Sequence, residues 1–284
     1  MNKSNMQQIR SYRKAPLPFQ GQKRRWLSEL RQLAFTFPAG ATVVDLFGGS
    51  GLCAHTVQQF RPDLHVIWND YDDYQHRLDL IPETNAHLAE LRRIIGDLPR
   101  GQVIHKDTPA HRAILAHISK AERTGADMQT IMAWLTYSSN DKSIASPTAH
   151  LYNRPPSQPY NAEGYLVGVE RVSLDYRELL GQVPQDAILI VDPPYLSTSA
   201  LRYAQREEGK FWGLTDHLRL LSLLKGYAYI YFSSSKSEVL ELDALTQELI
   251  GTGYLGTYQH ICKGTKMSHN CTGYTDYLVT NINL

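Results

Sequence analysis

The chain is poor in the features that mark most specialised protein classes. It has three cysteines in 284 residues, Cys53, Cys262 and Cys271. Three cannot close a full disulfide set, and their spacing is not that of a zinc site. A reducing cytoplasm is therefore expected, with each cysteine read as a small buried hydrophobe. No apolar run approaches the roughly 18 residues of a membrane helix, and no secretory signal opens the sequence, so neither membrane nor export is expected. The eleven histidines fall into no metal-ligand spacing, and no metal is predicted. Repeats and low-complexity linkers are absent. With 42% hydrophobic and 20% charged residues, the chain is no disordered tail, and its length suits one large domain or two small ones.

Net charge is also nearly absent, at +1, but it is unevenly spread. Residues 1–31 carry eight basic side chains (Lys3, Arg10, Arg13, Lys14, Lys23, Arg24, Arg25, Arg31) against Glu29 alone, a balance of +7 that leaves −6 for the remainder. A basic segment on an acidic body suggests a local polyanion-facing surface, and a solvated basic tail is the plainer alternative.

Hydrophobic patterning predicts an α/β organisation. Ala41–Leu46 reads as a buried strand that enters the turn Phe47-Gly48-Gly49-Ser50-Gly51, followed by a helix from Leu52 to about Phe60. Leu64–Trp68 reads as a second strand and about Glu83–Ile95 as a helix. Strand, glycine turn, helix and strand in that order open a parallel sheet. The middle of the chain differs. Thr108-Pro109 marks a helix start, running to about Glu122, and a second helix is expected over about 127–137. Residues 143–164, rich in Ser, Pro, Asn and Tyr, read as an irregular loop or hairpin. The α/β pattern resumes with a buried strand at Ala187–Val191. It continues with a helix capped by Thr215 and stopped by Gly226, a strand at Tyr227–Phe232, and a helix over about 236–249. Late strands at Tyr254–Cys262 and Tyr277–Ile282 suit a hairpin. The expected division is a core of 1–96 and 173–284, interrupted by an insertion over 97–172.

Two motifs carry chemistry. Asp192-Pro193-Pro194-Tyr195 directly follows the strand at 187–191, and ligands of doubly wound sheets sit at carboxyl ends of strands. The aspartate and a backbone carbonyl fixed by proline offer two acceptors to one planar amine, and the tyrosine offers a ring face for a base. A rigid turn closing a strand is the plainer reading. The second motif, Asp45 to Gly51, combines a carboxylate with glycines that let the backbone approach a ligand. It is not a dinucleotide fingerprint. Asp70 follows 19 residues after Gly51, at the end of the next strand, where an acid can accept bonds from ribose hydroxyls. Together they indicate an adenosine-containing cofactor.

These motifs in this order resemble the Dam-type DNA adenine methyltransferases, the α-ordered amino-methyltransferases with a DPPY motif. The resemblance spans nearly the whole chain. Phe19-Gln20-Gly21-Gln22-Lys23 is similar to the family's N-terminal motif, with Gln22 where a second glycine is common. Asp45 to Gly51 matches its acidic residue and F-x-G-x-G. Asn69-Asp70, Leu174-Asp175-Tyr176-Arg177, Phe211-Trp212, Thr215-Asp216-His217 and Asp276 to Asn281 resemble later segments. Ser233-Ser234-Ser235 stands where a Ser-Asn pair is usual. Tyr152-Asn153-Arg154 and Gly164-Tyr165 only loosely resemble the base-reading hairpin.

The resemblance implies a doubly wound, mostly parallel sheet of the S-adenosylmethionine-dependent methyltransferase type, with 97–172 as a mainly helical target-recognition insertion. It implies a cytoplasmic enzyme methylating N6 of a flipped adenine in double-stranded DNA, of the kind found in restriction-modification. Catalysis would fall to Asp192, Pro193, Pro194 and Tyr195. Lys23 would lie near the cofactor's methionine carboxylate and Asp45 near its amino end. Phe47, Gly49 and Gly51 would admit the cofactor, Asp70 would hold ribose, Asp175 the adenine amine, and Phe19 would add an aromatic contact. Plainer roles stand beside these: Asp175 as a loop cap, Lys23 as a phosphate contact, Phe19 as a core aromatic. Arg24, Arg25, Asn153 and Arg154 are the candidate DNA contacts. The competing functions are a cytosine-N4 or RNA amino-methyltransferase and an inactive DNA-binding regulator.

Overall fold

The computed structural model describes residues 12–106, 108–136, 151–153, 155–195, 212–235, 237, 239–265 and 273–283. In chain order the first elements are α1 (Leu27–Thr36), β1 (Thr42–Asp45), α2 (Leu52–Phe60), β2 (His65–Asn69), α3 (Tyr74–Asp79) and α4 (Ile81–Ile95). Then come β3 (Val103–Ile104), α5 (Pro109–Arg123), α6 (Met128–Leu135), β4 (Leu151–Tyr152), β5 (Glu170–Val172) and α7 (Tyr176–Leu180). The last are β6 (Ile188–Val191), α8 (Leu214–Leu223), β7 (Ala228–Ser234), α9 (Val239–Ile250), β8 (Gln259–Thr265) and β9 (Tyr274–Thr280). They form two compact units. One comprises residues 22–72 and 166–284 with a piece ending at Lys14; the other comprises 15–21 and 73–165.

The first unit is built on a seven-stranded sheet in the order β5-β2-β1-β6-β7-β9-β8. The first five strands are parallel, and β9 and β8 close the far edge antiparallel. The fold is therefore the expected mostly parallel α/β sheet. Its central strands are continuous apolar runs because helices cover a parallel sheet on both faces. Every residue of β6 is buried, and so are Val43 to Asp45 of β1. Val44, Leu189, Tyr231, Leu220 and Val279 meet in one core cluster.

Several expectations shift. β5 lies inside the range read as the insertion, yet it pairs with β2 in the main sheet. Its Glu-Arg-Val sequence shows no apolar alternation, because an edge strand pairs through its backbone and keeps polar side chains. Helix α8 starts at Leu214, not after Thr215. Asp216 accepts from the Gly213 N–H at 3.0 Å, so an acid at the third helical position closes the first turn without a capping hydroxyl. The late hairpin forms, but β8 begins five residues beyond the expected start, where its register with β9 is set.

The second unit is mainly helical, with a two-stranded β3–β4 pair. Thr108 caps α5, its hydroxyl accepting from the His111 N–H at 3.2 Å. Asp127 caps α6 in the same way through Thr130 N–H, also at 3.2 Å. These helices and α4 bury Leu88, Leu91, Ile114, Ile118, Ile131 and Leu135 together. Segment 15–21 is tied in by Tyr74, whose hydroxyl bonds both Leu17 N–H and Leu17 C=O, at 3.0 and 3.2 Å.

Candidate active site

Strand order reverses between β1 and β6: β1 leads outward to β2, and β6 leads the other way to β7. In open α/β sheets ligands bind at this switch point, beyond the carboxyl ends of the strands. Asp45 is the last residue of β1, opposite Ile190 of β6, and Asp192 follows β6 directly. The chain thus puts two carboxylates at one crevice, 147 residues apart in sequence (192 − 45).

Asp45 is buried and accepts from the Ala54 N–H at 3.1 Å. Burial pushes its pKa up to about 7; the Ala54 bond opposes this and the nearby Asp192 charge adds to it. Asp192 is shifted upward too, first by burial, with Lys23 pulling it back. The Lys23 ammonium pairs with Asp192 Oδ2. It also lies 5.6 Å from the Tyr195 ring centroid and 5.5 Å from that of Phe232. The acceptor of the tetrapeptide thus already holds an N–H donor, between two ring faces that favour a cation.

The turn after β1 is glycine-rich for reasons of space as well as conformation. A Cβ on Gly48 would lie 2.2 Å from Trp68 Cδ1 and 3.0 Å from the Asn69 carbonyl. Gly51 adopts φ 73° as it enters α2, and a Cβ there would press on Leu166 at 2.8 Å. Sequence reasoning singled out Gly49 and Gly51. The demand at Gly48 comes from the Trp68 indole on the next strand, which spacing alone does not reveal.

Asp70 is fully buried at the end of β2, and its Oδ2 accepts from Arg171 Nε at 2.8 Å. Asp175 caps α7 through Arg177 N–H at 2.9 Å and pairs with the Arg177 guanidinium at 2.7 Å. Phe47 of the glycine turn, Tyr176 and Trp212 pack mutually, with ring centroids 5.5 to 5.6 Å apart. Among the described residues, the Tyr176 hydroxyl and Trp212 Nε1 are buried without a hydrogen bond.

The remaining candidates have the following partners. Phe19 belongs to the second unit and packs edge-on against Tyr74 at 5.6 Å. Arg24 is exposed. Arg25 reaches Asp276 at 3.3 Å and the Gly264 carbonyl at 2.8 Å. Its own carbonyl accepts from Lys263 at 2.6 Å. Asn153 donates its side-chain amide to the Leu98 carbonyl, and its backbone brackets Gly101 and Gln102. Arg154 and Phe211 lie outside the described residues.

Two groups beside the tetrapeptide were not singled out as site residues from sequence: Tyr231 on β7 and His217 on α8. Burial raises the Tyr231 hydroxyl and the Asp192 charge adds to the shift, and that hydroxyl lies 3.4 Å from His217 Nδ1. A tyrosine inside a strand and a histidine inside a helix give no local signal of such a position. Among the described residues, no group of three or more His, Cys, Asp and Glu side chains is placed to hold a metal ion. No helix among them is long and apolar enough to cross a membrane.

Asp45, Asp70 and Asp175 all lie at or beyond the carboxyl edge of the first unit's sheet, around a turn too tight for side chains. That set of acceptors suits a ligand carrying a cationic amine and hydroxyl groups. A Haemophilus influenzae protein named as a methyltransferase is 34% identical to this chain over 255 residues, which is 84% of this chain and 82% of that relative. No family model matches the chain.

Proposed function

The chain belongs to the methyltransferases, and from that premise we propose that it methylates the exocyclic N6 amine of an adenine flipped out of duplex DNA. The observation that carries this reading is the position of Asp192-Pro193-Pro194-Tyr195 at the switch point. There the Asp192 carboxylate, held beside ring faces, already receives an N–H donor from Lys23. An acceptor so placed can receive an amine.

The cofactor implied by the family is S-adenosylmethionine, and the residues fit it. A buried carboxylate held at about 7 by desolvation is relieved by a cationic amino group, which assigns Asp45 to the amino end. Asp70 is assigned to ribose, Asp175 to the adenine amine, and Phe47, Gly49 and Gly51 to the walls. Bound there, the cofactor supplies a methyl group activated on a sulfonium.

The protein's own groups do the rest. The adenine amine is a poor nucleophile because its lone pair is delocalised into the ring. Asp192 and the Pro193 carbonyl accept its two hydrogens, favour the tetrahedral nitrogen, and stabilise the positive charge that grows on it. The entering amine displaces the Lys23 ammonium from Asp192. Tyr195 stacks on the base, which must leave the helix to reach the crevice. Alignment of the nitrogen is a positioning problem, and prolines on both sides of that carbonyl bond stiffen the acceptor before substrate arrives. Duplex contacts are assigned to the part of the insertion that precedes residue 166, with Asn153 and Arg154, and to the basic segment with Arg24 and Arg25.

Transfer of labelled methyl to duplexes of differing adenine content, followed by digestion to nucleosides, tests this. Label in N6-methyladenine is expected. Label on cytosine, or on RNA alone, would overturn the substrate. Cofactor binding with no transfer to any nucleic acid would favour a regulator that has lost activity.

A further inference from the structure

The chain returns to the first unit in a strained conformation, against the glycine turn. Among the described residues other than glycine, Asp73 and Leu166 alone adopt positive φ, at 56° and 61°. An aspartate tolerates that conformation because its short polar side chain can bond locally, whereas a leucine there is an outlier. Leu166 opens the stretch of the first unit that leads into β5. Its side chain is buried and packs on Gly51. A Cβ on that glycine would lie 2.8 and 3.1 Å from the two Leu166 methyl carbons and 3.1 Å from Trp68 Cε2. The turn is gripped between an indole from β2 and this one leucine.

A left-handed leucine persists only where its surroundings over-determine it. The Leu166 carbonyl accepts from the Val169 N–H at 3.1 Å, in a turn where Gly168 adopts φ 83°. The Leu166 N–H donates to Nδ1 of His55 at 3.1 Å, in a buried setting. His55 lies on α2, one helical turn past Gly51, whose carbonyl accepts from the His55 N–H at 2.8 Å. It is buried, and the Tyr12 ring meets it edge-on at 5.3 Å. Burial lowers His55 to about 4, so the ring is neutral near pH 7. With Nδ1 accepting, the ring proton sits on Nε2. The contacts close a circuit: Gly51 leads to His55, His55 holds Leu166, and Leu166 covers Gly51.

We propose that His55 is a positioning residue of the cofactor site: by accepting from the Leu166 N–H it keeps that side chain down on Gly51, and so holds the glycine turn in the shape that admits S-adenosylmethionine. This rests on the assignment of Gly49 and Gly51 to the cofactor walls for its consequence, but not for its geometry. Five residues on (171 − 166), the same segment brings Arg171 to Asp70 at 2.8 Å, so it meets the cofactor pocket twice. Without the acceptor, the Leu166 N–H would be buried unpaired in the left-handed conformation. The residue then relaxes toward negative φ and its side chain leaves the turn. Apparent affinity falls in proportion to the fraction of molecules that keep the binding shape.

The test uses the full-length protein with His55→Phe, His55→Asn and Leu166→Gly, titrated with S-adenosylmethionine in a calorimeter. His55→Phe keeps an aromatic ring beside Tyr12 but has no acceptor, and should weaken binding about 5- to 10-fold. His55→Asn places an oxygen two bonds from Cβ, where Nδ1 stands, and should recover affinity to within about twofold of wild type. Leu166→Gly keeps the N–H and adopts the same φ freely, but removes the side chain, and should lose as much as His55→Phe. The double variant should bind no more weakly than the worse single variant, because both changes break one path. Hydrogen exchange without cofactor supplies a second readout. Exchange at Leu166 and across the glycine turn should accelerate about tenfold in His55→Phe and not in His55→Asn. Wild-type affinity in His55→Phe would overturn the assignment, as would a loss that His55→Asn does not recover. A fall in Tm with unchanged affinity would make His55 a core residue only, and would overturn it too. If the wild-type protein binds no S-adenosylmethionine, the cofactor reading falls, and exchange at Leu166 and the turn alone decides what His55 holds. If His55→Phe does not fold, the pair His55→Asn and His55→Leu, alike in shape and differing in the acceptor, decides it.

Discussion

In the second unit, the buried Asp127 carboxylate receives Arg77 Nε at 3.1 Å, Thr130 N–H at 3.2 Å and the Thr130 hydroxyl at 2.5 Å. Arg77 spends its other donors on the Pro18 carbonyl and Thr130. None of the buried side-chain polar atoms without a hydrogen bond, among the described residues, falls in that unit. In the first unit, Trp68 Nε1, the Tyr176 hydroxyl, Trp212 Nε1, His217 Nε2, Ser233 Oγ and Ser237 Oγ are all of that kind. Asp45 and Asp192 are there as well, both shifted toward protonation by burial. A buried polar group without a partner is destabilising by about 1–3 kcal/mol. These groups and the two shifted carboxylates belong to the unit to which the ligand chemistry is assigned. Polar burial in the second unit serves that unit's own cohesion.

The comparison predicts separable phenotypes. Asp127→Ala leaves the Arg77 charge buried and should destabilise by about 3–5 kcal/mol, seen in urea unfolding, while the folded fraction keeps its specific activity. Asp192→Ala should do the reverse. Methyl transfer should fall by two or more orders of magnitude, about 3–4 kcal/mol of transition-state stabilisation, with a smaller loss of urea stability than in Asp127→Ala, because the Asp192 side chain is 23% exposed and that of Asp127 3%. If Asp192→Ala unfolds the protein, or Asp127→Ala spares stability, the contrast between the units is lost.

Dependence on pH sharpens it. His55 and His217 are buried and lowered to about 4. Their unfolded values are near 6.5, so the stability they contribute is complete above pH 6.5 and is lost as pH falls toward 4. Asp45 is raised to about 7. Its contribution is complete below the unfolded value of 3.8 and is lost as pH rises toward 7. Between pH 4 and 6.5 the two histidines are opposed by Asp45 and by Asp192, which is also raised, and each group contributes up to roughly 1.4 kcal/mol per pH unit. Asp45→Asn removes one opposing group and should steepen the rise of stability with pH by up to roughly 1.4 kcal/mol per unit in unfolding experiments. An unchanged slope would show that Asp45 is ionised throughout. The smallest effect concerns Asp70. Asp70→Ala should weaken S-adenosylmethionine binding by about 1.5–3 kcal/mol, the value of a hydrogen bond to a charged group. Unchanged affinity in calorimetric titration would place Asp70 outside the ligand.

Much of the frame was legible in the sequence because its signals are local. The β-branched run of β1, the apolar run of β6 and Thr108-Pro109 at the start of α5 each declare themselves within a few residues. What the sequence hid is non-local. β5 shows no pattern because its pairing is made by backbone alone. Gly48 is forced by an indole 20 residues on (68 − 48). The meeting of Lys23 with Asp192, and of His217 with Tyr231, exists only once the sheet order is set. Asp70, Asp192 and Lys23 could be named as candidates from motifs, but not the partners they meet.

The chain crosses between the units four times, at residues near 15, 22, 73 and 166. Residues 15–21 leave the ribosome more than fifty residues ahead of Tyr74 and Arg77, which anchor them. That segment must therefore wait, unpaired, during synthesis, and the sheet gains β5 only after the whole second unit has been made. Neither unit can be exchanged by a single recombination event. A graft of 73–165 into a relative would carry Tyr74 and Arg77 without the strap they hold, unless residues 15–21 travelled with it.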